Sequence, residues 1–219
     1  MSENTLSEYS ENYLGEGADL VVFPFHSVGE VRFERELRGE TSHFEDVAIL
    51  SREAKGIVIC GCYTNARGIL RKSAVVAENG KILGVSDMVN CIDEEKFSPG
   101  AGIRVYDTKA GKIGVVVGED LYFPYVIQTL SICGAELIVC VFEEITDNVE
   151  RTLIRAEAFF YGVPICFCAY GYAQVADGAG RLVYASPESP GRFSLPIEKE
   201  YHLVETRRRG YSKRGGKEY

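Results

Sequence analysis

Gly-Val-Val-Val-Gly-Glu-Asp, at residues 114–120, is the stretch that decides the fold, and Phe-Pro-Tyr follows it at 123–125. A continuous apolar run without polar alternation predicts a strand that is buried on both faces. Gly118 then permits a sharp turn into the helix that the apolar spacing from Tyr125 to Ser131 predicts. The stretch therefore indicates a strand-turn-helix unit within a sheet that helices cover.

Buried strands and helical patterns alternate along the rest of the chain. Further strands are predicted at 18–24, 56–63, 137–142 and 163–169, and helices at 5–15, 42–54 and 148–161. Hairpins are predicted at 73–85, where Asn79-Gly80 forms the turn, and at 103–117 and 172–185. We expect Asp147 to cap the last helix, and Arg155 and Glu157 to lie on its solvated face, with a subunit contact as the alternative. Hairpins mixed with strand-helix-strand crossovers indicate an α/β protein with mixed sheets covered by helices.

Composition narrows the class of protein. The chain has 219 residues, of which 46% are hydrophobic, and this length favours one domain, which we place at 1–206 before a basic tail at 207–219. The net charge of −8 argues against nucleic acid as a partner, and the absence of a long apolar run argues against a membrane. Seven cysteines scattered through apolar runs indicate reduced thiols in a cytoplasmic protein. We expect no metal and no cofactor.

Three segments resemble the catalytic signatures of the nitrilase, or carbon-nitrogen hydrolase, superfamily. They are GADLVVFP at 17–24, SDMVNC at 86–91 followed by FSPG at 97–100, and the opening stretch through 125. RAEA at 155–158 and DGAG at 177–180 extend the resemblance over nearly the whole chain. The resemblance implies a four-layer α-β-β-α sandwich that dimerises by stacking helix layer on helix layer. It also implies that the usual first strand of the family is missing here.

The members that this chain resembles cleave amides or nitriles with a Glu base, a Lys and a Cys nucleophile, and the resemblance places Phe25, Met88 and Gly118 at those positions. A phenyl ring accepts no proton, a thioether has no N–H to stabilise an oxyanion, and glycine carries no nucleophile. The resemblance therefore predicts a degenerate homologue that binds or regulates without catalysing. Replacing a buried Glu and Lys together avoids an unpaired charge. We expect a pocket that is partly filled by apolar atoms, narrowed at Phe25 and opened at Gly118.

Three acidic residues are further candidates for lining this altered pocket: Glu95, Glu119 and Glu143. The resemblance makes either Glu94 or Glu95 the match for an additional family glutamate at the pocket, but a solvated acidic loop at 93–95 explains these residues at least as well. Glu143 follows a buried strand at the pocket end, although charge complementarity with a helix N-terminus is the favoured interpretation. His26 is a weak substitute for the base, because a shift of one residue along an extended segment turns its side chain to the other face.

Two other functions stay open. An active amide hydrolase with relocated groups would use Cys91 as its nucleophile, with Glu119, Asp120 or His26 as acid-base partners. Simple burial of a small side chain is the alternative interpretation of Cys91. A structural subunit of a hetero-oligomer would co-purify with an active relative. The leading hypothesis is a non-catalytic homodimer or higher homo-oligomer that binds a small-molecule ligand or another protein.

Overall fold

The structure, a computed structural model, describes residues 18–92, 96–145 and 148–186, together with Leu6, Ser194, Leu195 and Ile197. Four sequence predictions fall on other residues and lie outside this part of the chain. They are the helix at 5–15 apart from Leu6, the pocket residue Glu95, the cap Asp147 and the tail at 207–219. The expected absence of a family strand before residue 18 also concerns residues outside it.

Eleven strands and four α-helices are present in the described residues. The strands are β1 (Leu20–Phe23), β2 (Glu30–Arg32), β3 (Ile57–Ala66), β4 (Ile69–Glu78), β5 (Lys81–Asp87), β6 (Val105–Thr108), β7 (Gly111–Val117), β8 (Leu137–Glu144), β9 (Ile165–Tyr170), β10 (Tyr172–Ala176) and β11 (Leu182–Ser186). The helices are α1 (Phe33–Leu37), α2 (His43–Ala54), α3 (Pro124–Ile132) and α4 (Val149–Tyr161), with a 3₁₀ helix at Gly118–Tyr122. The predicted strands, hairpins and helices in this part of the chain are confirmed to within a few residues at most ends.

The strands form two mixed sheets. In sheet A the order is β1-β3-β4-β5, and β2 pairs with the C-terminal half of β3. Sheet B has the order β11-β10-β9-β8-β7-β6, and its central strands β7, β8 and β9 are parallel. Helices connect these parallel strands, as a parallel pairing requires. The carboxyl ends of β7 and β8 therefore lie side by side at one edge of sheet B.

The molecule has four layers, and an apolar core lies between each pair of neighbouring layers. One lies between sheet A and α2, and another between sheet B and the pair α3 and α4. The third lies between the two sheets and contains alternate residues of the strands that face each other. The fold is thus the expected α-β-β-α sandwich, and the core between its sheets leads to the candidate site.

Two expectations about α4 need correction. Its N-cap position is Asn148, without a side-chain hydrogen bond to the helix. Glu157 is wrongly predicted to be solvated: only 4% of the residue is exposed, and its Oε2 atom is buried without a hydrogen-bond partner among the described residues. Burial raises the pKa of Glu157 to about 7.

Candidate functional site

Four polar side chains lie where the apolar faces between the sheets come to an end. Ile57 and Ile59 face the other sheet, and the same face of β3 continues to Tyr63. On β4 the same alternation leads from Val76 and Ala74 back to Lys72, and on β8 it leads from Val139 and Val141 to Glu143, while Glu119 lies in the 3₁₀ helix that follows β7. Tyr63 and Lys72 are direct partners in the antiparallel pair β3–β4, so all four groups meet at one end of the sandwich.

Lys72 is the centre of this cluster. Its Nζ atom donates to Glu119 Oε1 and to Glu143 Oε2, both at 2.6 Å, and only 7% of its side chain is exposed. Burial would lower the pKa of Lys72, but the hydrogen bonds to both carboxylates outweigh it and raise the pKa. Lys72 is therefore a charged ammonium held between two acids.

Aromatic side chains enclose the ion pairs. Tyr63 donates a hydrogen bond to Glu143 Oε1, and its ring stacks on Phe97 with centroids 5.7 Å apart. Lys72 Nζ lies 5.1 Å from the centroid of Phe97, within the range of a cation–π contact. Burial, together with the hydrogen bond to Glu143, raises the pKa of Tyr63, so this group remains a neutral donor.

His26 lies beside the same cluster, contrary to the sequence-based expectation. Its φ of 71° places it in a left-handed turn after β1, so the alternation of an extended segment does not apply. As a result, His26 Nε2 lies 4.0 Å from Glu143 Oε1, and half of its side chain is exposed. The imidazole faces the acid from the solvent side.

Glu143 does not have the favoured role of a carboxylate that complements the charge of a helix N-terminus. It accepts hydrogen bonds from Lys72 and Tyr63 instead, while its neighbour Glu144 is exposed. Burial would raise the pKa of Glu143, but the hydrogen bonds from these two donors outweigh it and lower the pKa. Glu143 is ionised at neutral pH.

Gly118 and Met88 are brought into contact. Gly118 begins the 3₁₀ helix after β7 with a φ of +54°, the conformation that glycine adopts most readily. A Cβ atom at Gly118 would lie 3.1 Å from Met88 Sδ and 3.5 Å from Lys72 Cδ. The expectation that Gly118 opens the pocket is therefore wrong, because the methionine sulfur and the lysine stem occupy the space that its missing side chain leaves.

Phe25 and Met88 belong to the same core between the sheets, with exposures of 1% and 2%. Gly61 on β3 makes room for the backbone of Phe25, since a Cβ atom there would lie 2.9 Å from Phe25 N and 2.6 Å from Val141 Cγ1. The expected apolar filling is thus present at these two positions. The expectation omitted Lys72, which brings a buried positive charge to the same place.

Asp120 anchors the segment that carries Met88. Its carboxylate accepts hydrogen bonds from the backbone of Val89 and from both the backbone and the side chain of Asn90. Burial raises the pKa of Asp120, although these hydrogen bonds oppose the effect. Cys91 follows in the chain and packs, half-buried, against the core between the sheets. Asp120 therefore positions a loop.

The cluster contains two carboxylates, a phenol and an ammonium group. Gly118, however, provides no oxygen or sulfur nucleophile beside them. Sequence reasoning identified Glu119 and Glu143 but missed Lys72, Tyr63 and Phe97. Period-two alternation was the available signal, because Lys72 continues the buried face of Ala74 and Val76. No grouping of three or more His, Cys, Asp or Glu side chains suited to a metal ion occurs among the described residues.

Comparison with known proteins identifies the family. The sequence model of the carbon-nitrogen hydrolase family matches residues 4–188. A probable nitrilase of Schizosaccharomyces pombe is 24% identical over 182 residues, which span 74% of this chain and 67% of that protein. The deaminated glutathione amidase of Yersinia enterocolitica is 27% identical over 120 residues, 48% of this chain and 42% of the amidase. The chain belongs to the carbon-nitrogen hydrolase family.

Solved structures agree in fold. Saccharomyces cerevisiae Nit3, a member of branch 10 of the nitrilase superfamily, aligns with a TM-score of 0.70 and 19% identity over 86% of this chain and 79% of Nit3. A Glu-to-Gln variant of an amidase from Nesterenkonia sp. AN1, carrying acrylamide added at its active-site cysteine, aligns with a TM-score of 0.71 and 17% identity over 94% of this chain and 88% of the amidase. These similarities establish the four-layer architecture as that of the nitrilase superfamily.

Proposed function

We propose that the chain is a non-catalytic binding or regulatory member of the carbon-nitrogen hydrolase family. The observation that carries this proposal is the contact at the turn after β7. Gly118 offers no nucleophile, and Met88 Sδ lies only 3.1 Å from the position that a Cβ atom would take there. A covalent intermediate with an amide carbonyl needs a nucleophilic side chain at the reacting centre.

The other two matched positions support the same conclusion. Phe25 and Met88 are almost completely buried and carry neither a proton acceptor nor a cationic donor. The cation that is present, Lys72, donates to two carboxylates that neutralise its charge. An oxyanion would have to compete with both acids for this ammonium group.

Covalent capture by acrylamide tests the proposal. Because a Glu-to-Gln variant of the Nesterenkonia amidase carries acrylamide at its active-site cysteine, a nucleophilic cysteine in an amide-binding site of this chain should capture acrylamide selectively. We expect slow, unselective modification that follows exposure, with the exposed Cys133 reacting ahead of the six other cysteines. Rapid stoichiometric modification of one half-buried cysteine, located by peptide mass spectrometry, would contradict the proposal.

The second candidate function is an active amide hydrolase with relocated catalytic groups. The observation that favours it is the cluster of His26, Tyr63 and Glu143 near Lys72, which contains both a proton acceptor and hydrogen-bond donors. Cys91 is the candidate nucleophile, since it packs half-buried against the core that contains Met88. Selective capture of acrylamide at Cys91 would favour this function.

We further propose a homodimer that forms through the helices on sheet B. Four large apolar side chains on α3 and α4 are exposed by about half: Tyr125, Ile132, Val149 and Phe160. A concentrated apolar surface of this kind favours a protein partner. The alternative partner is an active relative in a hetero-oligomer, which co-purification would reveal.

The proposed compartment is the cytoplasm. All seven cysteines are free, as a reducing compartment favours. None of the helices in the described part of the chain is long and apolar enough to cross a membrane.

A further inference from the structure

The polar cluster at the end of the sandwich joins the two sheets. Tyr63 and Lys72 belong to sheet A, while Glu119 and Glu143 follow or end strands of sheet B. Every hydrogen bond among these four side chains therefore crosses from one sheet to the other. We call these four residues the intersheet clasp.

The clasp covers an apolar interior. The stem of Lys72 lies against Gly118, where Met88 Sδ is the other neighbour of the missing Cβ position. Phe97, which is 4% exposed, lies against Tyr63 and beneath the ammonium group of Lys72. Lys72 and Met88 border the same position beside Gly118, so release of the clasp would free one side of the altered pocket.

Protonation is the simplest event that would release the clasp. Two carboxylates share one ammonium group, and Glu143 is the more accessible acid, with 34% of its side chain exposed against 24% for Glu119. A neutral Glu143 would lose its ionic attraction to Lys72 and the stronger, charge-assisted form of its hydrogen bonds.

The titratable and charged groups around Glu143 come from four elements. They are Lys72 on β4, Tyr63 on β3, Glu119 on the 3₁₀ helix and His26 in the turn after β1. The donors lower the pKa of Glu143, so it takes up its proton below the ordinary range of a glutamic acid. The imidazole of His26, 4.0 Å from Glu143 on its solvent side, is a smaller cause of the lowered pKa of Glu143.

We propose that the intersheet clasp is an autoinhibitory contact that holds the altered pocket closed at neutral pH and releases it when Glu143 takes up a proton. This inference depends on the proposed function, because it assigns the regulation of ligand access to the same site. A small molecule then enters only after the clasp opens.

Oxidation of Met88 by hydrogen peroxide measures the opening without a ligand or a turnover assay. The fraction of sulfoxide in the Met88 peptide is read by mass spectrometry, with free methionine in the same solution as the reference rate. At pH 7 we expect Glu143→Gln to speed oxidation of Met88 at least about tenfold, as expected when a charge-assisted hydrogen bond weakens. Glu144→Gln, which changes the exposed neighbour, should match the unaltered chain.

In the unaltered chain, acidification from pH 7 to below about pH 4, where a glutamic acid of lowered pKa takes up its proton, should produce the same acceleration before the circular dichroism of the sheets changes. If Glu143→Gln itself lowers the circular dichroism signal at pH 7, Glu119→Gln takes its place in the comparison with Glu144→Gln. Equal oxidation rates for the clasp variant and Glu144→Gln would overturn the inference, as would acceleration that appears only together with unfolding. Because the assay uses neither amide nor ligand, its failure leaves the proposed lack of catalysis to be judged by acrylamide capture.

Discussion

Lys72 places a single positive charge in an interior that is otherwise largely apolar. Its two carboxylate partners offset the free energy of removing the ammonium group from water, so each member of the cluster depends on the others. Removing one member leaves an uncompensated buried charge. Replacing all of the charged members removes that penalty and leaves mainly a packing change.

Lys72→Met should lower the free energy of unfolding by about 1.5–3 kcal/mol, because Glu119 and Glu143 lose the charge that pairs them but are themselves partly solvated. Urea denaturation at pH 7 measures the change. Lys96→Met is the matched control, since Lys96 is exposed and also lies over Phe97 at 4.9 Å. A loss as small for Lys72→Met as for the control would show that the cluster is not a buried ion network.

The triple variant Lys72→Met, Glu119→Gln and Glu143→Gln should recover most of the stability lost in Lys72→Met, because no buried charge then lacks a partner. The same denaturation experiment tests the recovery. Additive losses across the three substitutions would contradict mutual compensation.

Gly118→Ala should lower the free energy of unfolding by about 1–2 kcal/mol, since a left-handed φ disfavours any side chain. The added Cβ would also press on Met88 Sδ at 3.1 Å. Gly102→Ala is the control, because Gly102 has no positive φ and nothing lies within 4 Å of its Cβ position. Equal melting temperatures for the two variants would refute the claim that the turn requires glycine.

At the scale of elements, α4 carries buried acids on the face that packs against the rest of the fold. Glu150 is 1% exposed and accepts a hydrogen bond from Tyr122, whereas the buried Oε2 atom of Glu157 has no hydrogen-bond partner among the described residues. Both residues follow the helical spacing of Ile154, so they lie on its packed side. The helix is therefore sensitive to the protonation of Glu157.

Glu157 should make the fold less stable as the pH rises. Its pKa is about 7 in the folded chain and 4.5 in the reference state, so the folded chain binds the proton more tightly. The contribution to the free energy of unfolding is complete below pH 4.5, falls between pH 4.5 and about 7, and stays low above that range. The total loss is at most about 3 kcal/mol.

Urea denaturation between pH 4.5 and 8 tests this dependence, with Glu157→Gln expected to lose the part of the slope that the carboxyl causes. Glu53→Gln on α2 is the control, because Glu53 is exposed. A pH slope unchanged in Glu157→Gln would contradict a raised pKa at this residue.

The elements themselves were largely predictable from local sequence. The Asn79-Gly80 hairpin has the predicted turn, and α2 and β8 lie close to their predicted ranges, because turn chemistry and apolar runs are local signals. Lys72 was missed because a strand interior rarely accommodates a lysine without partners, and its partners come from the other sheet. His26 was misplaced because a left-handed φ outside glycine is not visible in a residue pattern.

At the scale of the whole molecule, the four layers bury the face between the sheets and leave apolar residues on the helices of sheet B. Ile132 and Phe160 are 55% and 58% exposed. Association of this face with a second copy would remove the apolar surface from water, which is favourable by about 25 cal/mol for each Å².

Phe160→Glu should convert the proposed dimer into a monomer, because it places a charge in an apolar contact. Light scattering coupled to size exclusion measures the mass. Leu37→Glu on α1 should leave the mass unchanged, although Leu37 is 86% exposed, because it lies on another part of the surface. A monomeric unaltered chain, or a dimer that persists in Phe160→Glu, would contradict association through this face.

The chemistry of the whole site is tested most directly by the release of ammonia from a panel of short aliphatic amides. The unaltered chain, Cys91→Ser and Glu143→Gln should all match the buffer rate, because Gly118 provides no nucleophile and Phe25 and Met88 provide neither base nor cation. Saturable ammonia release by the unaltered chain that Cys91→Ser abolishes would contradict a non-catalytic site.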